Sequence, residues 1–235
     1  MKRVLFIRHD HANPAGMLAR CFARHDYAAS EYPAVAGAPY PDPAGYDAIV
    51  ALGADWSVLD PQVQDWLVPE LDFLRRAHHA GIPVLGVCFG AQALAVALGG
   101  TVRRAPRPEI GWRYLNYHAG LGHDLIPDQG PWFCWHYDRF FPPPGARALA
   151  HTPAGAHVFA AGSSWGVQFH PEADAGLVRD WLDDGGSAEV MRAGIDPGEL
   201  IWQACHLEDG GTRADRLVRS FLAPRPVRPP VTYGG

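Results

Sequence analysis

The chain has 235 residues, 48% of them apolar and 19% charged, the composition of a globular protein long enough to bury a substantial core. A net charge of −5 offers no basic excess, so a nucleic-acid-binding surface is not expected. No uncharged apolar run reaches the roughly eighteen residues that a membrane span needs, so no membrane partner is expected either.

Met1-Lys2-Arg3 leads into the apolar run Val4 to Ile7, followed at once by Arg8, His9 and Asp10. That run is too short for an export signal and reads as a first core strand. Cys21, Cys88, Cys134 and Cys205 show no CxxC spacing. Without an export signal they read as free thiols, and a cytoplasmic location is expected. A helix is expected over 16–24 and a second apolar strand over 48–52. Leu67, Leu71 and Leu74 then repeat at helical spacing, with Pro69 assigned to the first turn and Gly81 as the stop. Pro83 to Val87 reads as a strand buried on both faces, and Ala91 to Leu98 as a small apolar helix stopped by Gly99-Gly100. Alternating strands and helices predict an α/β fold, a mostly parallel sheet with helices on both faces.

Residues 101–150 carry short aromatic runs, Trp112 to Tyr117 and Trp132 to Phe141, which read as antiparallel strands and loops. Another strand is expected over 164–169 and a helix around Leu177, Val178, Trp181 and Leu182. A closing helix spans 212–222, where Thr212 and Asp215 have capping-box spacing. No boundary divides the chain, so one domain is expected over 1–223, with 224–235 a flexible Pro/Arg-rich tail.

The most informative segment is Gly86-Val87-Cys88-Phe89-Gly90-Ala91-Gln92. A cysteine at a strand end, flanked by glycines and followed by a helix, has the pattern of a nucleophile elbow. The helix start offers backbone N–H groups and a positive dipole end that favour a thiolate, and the Phe89 N–H is placed to donate to an oxyanion. A second strand ends in Phe169-His170-Pro171-Glu172. A thiol attacking a carbonyl needs a base and then an acid, and His170 can serve as both, with Glu172 holding its tautomer. Taken singly, a core cysteine and a strand-end histidine are the bland readings.

Together the two segments resemble a class I glutamine amidotransferase domain, similar to the glutaminase part of GMP synthase. Pro108-Glu109-Ile110-Gly111-Trp112 and His136-Tyr137-Asp138 add to the likeness, which covers roughly 3–185. The resemblance implies a flavodoxin-like fold and a Cys88-His170-Glu172 triad that hydrolyses the side-chain amide of glutamine through a γ-glutamyl thioester, with no cofactor or metal. It implies an oxyanion hole from the backbone of Gly53 and Phe89, although the proline that follows this loop in the family is missing here. It implies substrate contacts from Gln92, Tyr137 and Asp138. Ammonia would pass to a separate synthase, since the chain has no P-loop for ATP.

A stand-alone hydrolase of γ-glutamyl amides is the alternative, because the altered loop Gly53-Ala54-Asp55-Trp56 can change what enters the pocket. A non-catalytic binding module on the same fold is the reading of a different class. His9-Asp10-His11 reads as a loop after the first strand rather than a metal site. Cys134, His136 and Asp138 alternate and would share one strand face, where ordinary packing is expected. His78-His79 sits near a helix C-terminus, where cationic character is mildly favourable.

Overall fold

The computed structural model describes residues 1–118, 126, 129–207 and 210–223. The first half alternates strand and helix: β1 (Lys2–Arg8), α1 (Gly16–Arg24), β2 (Tyr27–Pro33), β3 (Ala48–Ala51), α2 (Gln64–His79), β4 (Val84–Val87) and α3 (Phe89–Ala97). The middle is β-rich: β5 (Thr101–Arg113), β6 (Asn116–Tyr117), β7 (Trp132–Phe141), β8 (Arg147–Thr152), β9 (Gly155–Ala161) and β10 (Ser164–Val167). Four helices follow: α4 (Ala175–Trp181), α5 (Ser187–Arg192), α6 (Pro197–His206) and α7 (Gly210–Leu222).

The main sheet has the order β2-β1-β3-β4-β10-β9-β8-β6. The first five strands run parallel, and β9, β8 and β6 extend the sheet antiparallel. The parallel part is the flavodoxin-like arrangement, whose ligands bind beyond the C-terminal ends of the strands. Its central strands are apolar throughout because both faces are covered. Val4 and Phe6 of β1 join a core with Leu18 and Phe22 of α1 and Leu217 and Phe221 of α7. Leu5 and Ile7, pointing the other way, join Phe73 and Leu74 of α2 and Leu94 of α3. A third cluster packs α4, α5 and α6 against the separate β5–β7 pair through Ile110, Phe133, Val178, Val190 and Leu200.

Two local expectations are corrected. α2 begins at Gln64, so Pro69 lies in its second turn rather than its first. There it removes one main-chain bond, and the position is exposed, where water can serve the freed carbonyl. α7 spans Gly210–Leu222, so Thr212 lies inside the helix rather than at its N-cap; Asp215 lies 3.4 Å from His25 Nε2, just past α1. The tail 224–235 lies outside the described residues. No helix among the described residues is long and apolar enough to cross a membrane.

Candidate active site

Four parallel strands deliver their C-terminal ends to one place: His9 after β1, Gly53 after β3, Cys88 after β4 and His170 after β10. Cys88 alone makes the turn from β4 to α3, with φ 48° and ψ −106°. A non-glycine residue in such a region costs on the order of 1–3 kcal/mol, and the surroundings must hold it there. Cys88 N donates to Val167 O at 2.8 Å, and Cys88 O accepts from Gln92 N at 3.1 Å. The two flanking glycines let backbones meet: a Cβ on Gly86 would lie 2.5 Å from Gly90 O, and one on Gly90 2.1 Å from Ala51 O. Phe89 is the first residue of α3, so its N–H has no intrahelical partner, and the Cys88 sulfur sits at the positive end of that helix. The sulfur is 3.8 Å from Trp135 O and 3.7 Å from Gln168 Nε2.

His170 is tied to β7 by its N–H, which donates to Phe133 O at 2.8 Å. Its Nδ1 lies 2.7 Å from Glu172 Oε1. The ring rests on Gly53, where a Cβ would come within 3.2 Å of Cε1, and against Trp181 at 5.1 Å between centroids. Glu172 is buried, and its carbonyl accepts from Met17 N at the start of α1, so the residue sits by a positive helix end. Burial alone would lower the His170 pKa, but Glu172 and Cys88 outweigh it and hold it well above the ordinary value. Nδ1 is taken by Glu172, which leaves the buried, otherwise unpartnered Nε2 to interact with the Cys88 thiol.

Cys88 and His170 open onto a cavity of about 610 Å³, which Phe89, Gln92, Tyr137 and Asp138 also line. Gly53 and Glu172 adjoin the His170 ring. Gln92 Nε2 is 3.4 Å from both Asp138 O and Gln168 Oε1. Asp138 is held by Ser57 Oγ at 2.5 Å and Arg104 at 3.3 Å, so its carboxylate is already engaged. Tyr137 donates to Glu189 Oε1 at 2.6 Å; burial, then that carboxylate, push its pKa up to about 12.

Gln168, Arg104, Glu189 and His9 belong to this neighbourhood and lie outside the motifs that the sequence marks as site residues. Gln168 carries a local signal, being a polar residue at the end of an apolar strand. The others are joined to the site only by tertiary contacts. His9 is buried against Glu70 and the Gly53 carbonyl, and Asp10 caps Asn13, so neither is arranged as a metal ligand.

Cys134, His136 and Asp138 do share the buried face of β7, but the Asp138 carboxylate turns to Ser57 and Arg104, and the side chains gathered around Cys134 and His136 are Glu109 and His157. One donor atom from each of the four lies within 4.8 Å of the others, a set chemically suited to a transition metal. Here the Glu109 carboxylate gathers the polar side chains around it. Glu109 Oε2 accepts from His157 at 2.6 Å, His136 at 3.1 Å and Thr152 at 3.2 Å. Burial works against ionisation of Glu109, but the two histidines outweigh it and hold its pKa well below the usual carboxylate range.

The family model described as glutamine amidotransferase class-I matches residues 58–182. A GMP synthase (glutamine-hydrolysing) of Thermus thermophilus is 35% identical over 62% of this chain and 31% of its own length. The chain thus spans about a third of that relative. A protein of Sulfolobus acidocaldarius named as one subunit of GMP synthase (glutamine-hydrolysing) is 33% identical over 54% of this chain and 68% of its own length. A crystal structure of a glutamine amidotransferase from Thermotoga maritima superposes with a TM-score of 0.82 at 28% identity, covering 94% of this chain and 96% of that one. An α/β fold with a cysteine elbow is thereby placed among known amidotransferase structures. The chain belongs to the class-I glutamine amidotransferase family.

Proposed function

We propose that Cys88 is the nucleophile of a thiol amidase that hydrolyses the side-chain amide of glutamine and supplies ammonia to a separate synthase. The observation that carries this reading is the strained Cys88 elbow sharing a cavity with a His170 whose far nitrogen is bound by Glu172. His170 takes the Cys88 proton, and the thiolate attacks the γ-carbonyl carbon. Backbone N–H groups of Phe89 and Gly53 hold the oxyanion. The C–N bond breaks as His170 returns the proton to the leaving nitrogen, and ammonia departs from a γ-glutamyl thioester. Water, deprotonated by His170, then cleaves the thioester to glutamate and restores the thiol. Glu172 keeps the ring oriented and stabilises its protonated form. Gln92, Tyr137 and Asp138 position the amino-acid end of the substrate. Nothing in this sequence of steps calls for a metal or cofactor. The Sulfolobus acidocaldarius relative, itself named as one subunit of a synthase, supports a synthase carried on another chain.

The test is glutamate release from glutamine, alone and with candidate synthases, beside a Cys88→Ala variant. Diazo-oxo-norleucine should add to Cys88 by mass spectrometry. Wild-type turnover in Cys88→Ala would end the reading.

A further inference from the structure

Gly53-Ala54-Asp55-Trp56, the loop that carries one of the two proposed oxyanion donors, has no proline to stiffen it, and Gly53 has no side chain to pack. Something else must hold it still. Just before it, Leu52 N donates to Ile7 O at 3.1 Å, and Leu52 O accepts from Gly90 N at 3.0 Å. The loop itself is gripped by the segment that follows β1. His9 Nδ1 donates to the Gly53 carbonyl at 3.2 Å, and Asp10 Oδ2 accepts from Asp55 N at 3.1 Å. The two bonds stand on either side of Ala54. Asn13 Nδ2 braces them, 2.8 Å from Asp10 Oδ1 and 3.1 Å from Asp55 Oδ1.

The His9 ring also packs on Phe89, the other proposed donor, with centroids 4.7 Å apart. One side chain therefore touches both halves of the proposed oxyanion hole. It is held from behind in turn: Nε2 lies 2.9 Å from Glu70 Oε2, both side chains are fully buried, and Trp66 flanks the ring at 5.5 Å. A buried carboxylate–imidazole pair commonly stabilises a fold no better than apolar residues of the same volume. Its place behind a glycine carbonyl points to a need for position. His9 does not line the cavity, so it acts through the loop rather than on a substrate.

We propose that His9, seated on Glu70 and assisted by Asp10, is a positioning residue that presets the oxyanion hole by anchoring the carbonyl of Gly53. This rests on the thiol-amidase reading above. A peptide unit is planar, so fixing the Gly53 carbonyl removes the freedom that a glycine otherwise leaves to the loop. The oxyanion forms only as the thiolate adds to the γ-carbonyl. A loosened loop therefore weakens the transition state and not the bound amide.

The experiment reads glutamine hydrolysis beside alkylation of Cys88 by iodoacetamide, a displacement at saturated carbon that makes no oxyanion. His9→Phe keeps an aromatic ring against Phe89 and Trp66 but removes the bond to Gly53. Its kcat should fall by about a hundredfold, the scale of losing one oxyanion donor, with KM nearly unchanged. Alkylation of Cys88, followed by mass spectrometry, should keep its wild-type rate. Asp10→Ala, at a half-buried position, removes the other grip and decides the matter should His9→Phe not fold. Its kcat should fall by about tenfold, again with alkylation unchanged. Leu217→Ala, in the core between α7 and α1, destabilises without touching the loop and should leave the kcat of the folded enzyme at the wild-type level. A kcat loss no greater than in Leu217→Ala, one matched by an equal loss of alkylation, or one replaced by a rise in KM overturns the proposal. If wild-type hydrolysis still depends on Cys88, the amidase reading survives that result. If the wild type releases no glutamate and diazo-oxo-norleucine fails to label Cys88, both fall.

Discussion

His9 and Glu70 meet in the interior with neither side chain exposed: Nε2 lies 2.9 Å from Oε2 and 3.1 Å from Oε1. The other ring nitrogen is 3.2 Å from the carbonyl of Gly53. With Glu70 ionised both neighbours are acceptors, and the ring then satisfies them together only as the doubly protonated imidazolium. Burial alone would lower the His9 pKa, but Glu70 reverses this and raises it. A raised folded-state pKa gives stability that is complete below the unfolded value near 6.5 and is lost as pH rises through the folded value. Urea denaturation of the wild type should therefore show unfolding free energy falling as pH climbs above about 6.5, and His9→Gln should flatten that slope. His9→Gln leaves Glu70 buried without its charge partner and should cost about 3 kcal/mol near neutral pH. A slope unchanged by His9→Gln would show that the pair is not charged.

The Cys88 elbow depends on the absence of side chains beside it. A Cβ on Gly90 would stand 2.1 Å from the carbonyl oxygen of Ala51 and 2.8 Å from its Cβ, in the middle of the sheet. Backbone cannot yield there as a long side chain can, so Gly90→Ala should destabilise by about 3 kcal/mol or more. Thermal unfolding reads this directly. Gly37, where a Cβ would meet nothing within 4 Å but φ is +69°, is the control: Gly37→Ala should cost only the local backbone strain, about 1 kcal/mol.

What the sequence discloses follows from these constraints. β1, β3, β4 and β10 are buried on both faces and read as apolar runs, and the elbow advertises itself through Gly86 and Gly90. β2 leaves no such trace: its segment Tyr27–Pro33 lies at the sheet edge, is largely exposed and shows little apolar pattern. α5 and α6 are equally hard to read because they are short and bury little, with Val190 and Leu200 their buried residues. Of the site, Cys88, His170 and Glu172 stand out because each lies in a compact motif. His9, Arg104 and Glu189 do not, because their partners are distant in the chain: 61 residues separate His9 from Glu70. Pairings of that kind carry no local period.

Glu109 should make the protein acid-sensitive. Its pKa is held well below the usual range by His136 and His157. A depressed folded-state pKa gives stability that is present above the unfolded value, near 4.3, and lost as pH falls towards the folded one. Wild-type stability should therefore drop on acidification below about pH 4.3, and Glu109→Gln should drop less steeply over the same span while starting lower. Parallel acid curves for the two proteins would exclude a charged Glu109.

The Glu172 carboxylate should matter to the proton on His170 as well as to the ring's orientation. Its Oε1 is 2.7 Å from Nδ1, and its charge helps hold the His170 pKa well above the ordinary value. Glu172→Gln keeps an oxygen that can accept from Nδ1–H but removes the charge. The imidazolium is then less favoured, so it loses its proton at lower pH. Glutamine hydrolysis should fall by about a hundredfold, the scale of a general acid–base contribution. The alkaline limb of the kcat/KM profile should move to lower pH, because that limb reports loss of the imidazolium that pairs with the thiolate. A fall in rate with the limb unmoved would assign Glu172 to orientation alone. An unmoved rate would remove it from the proposed triad.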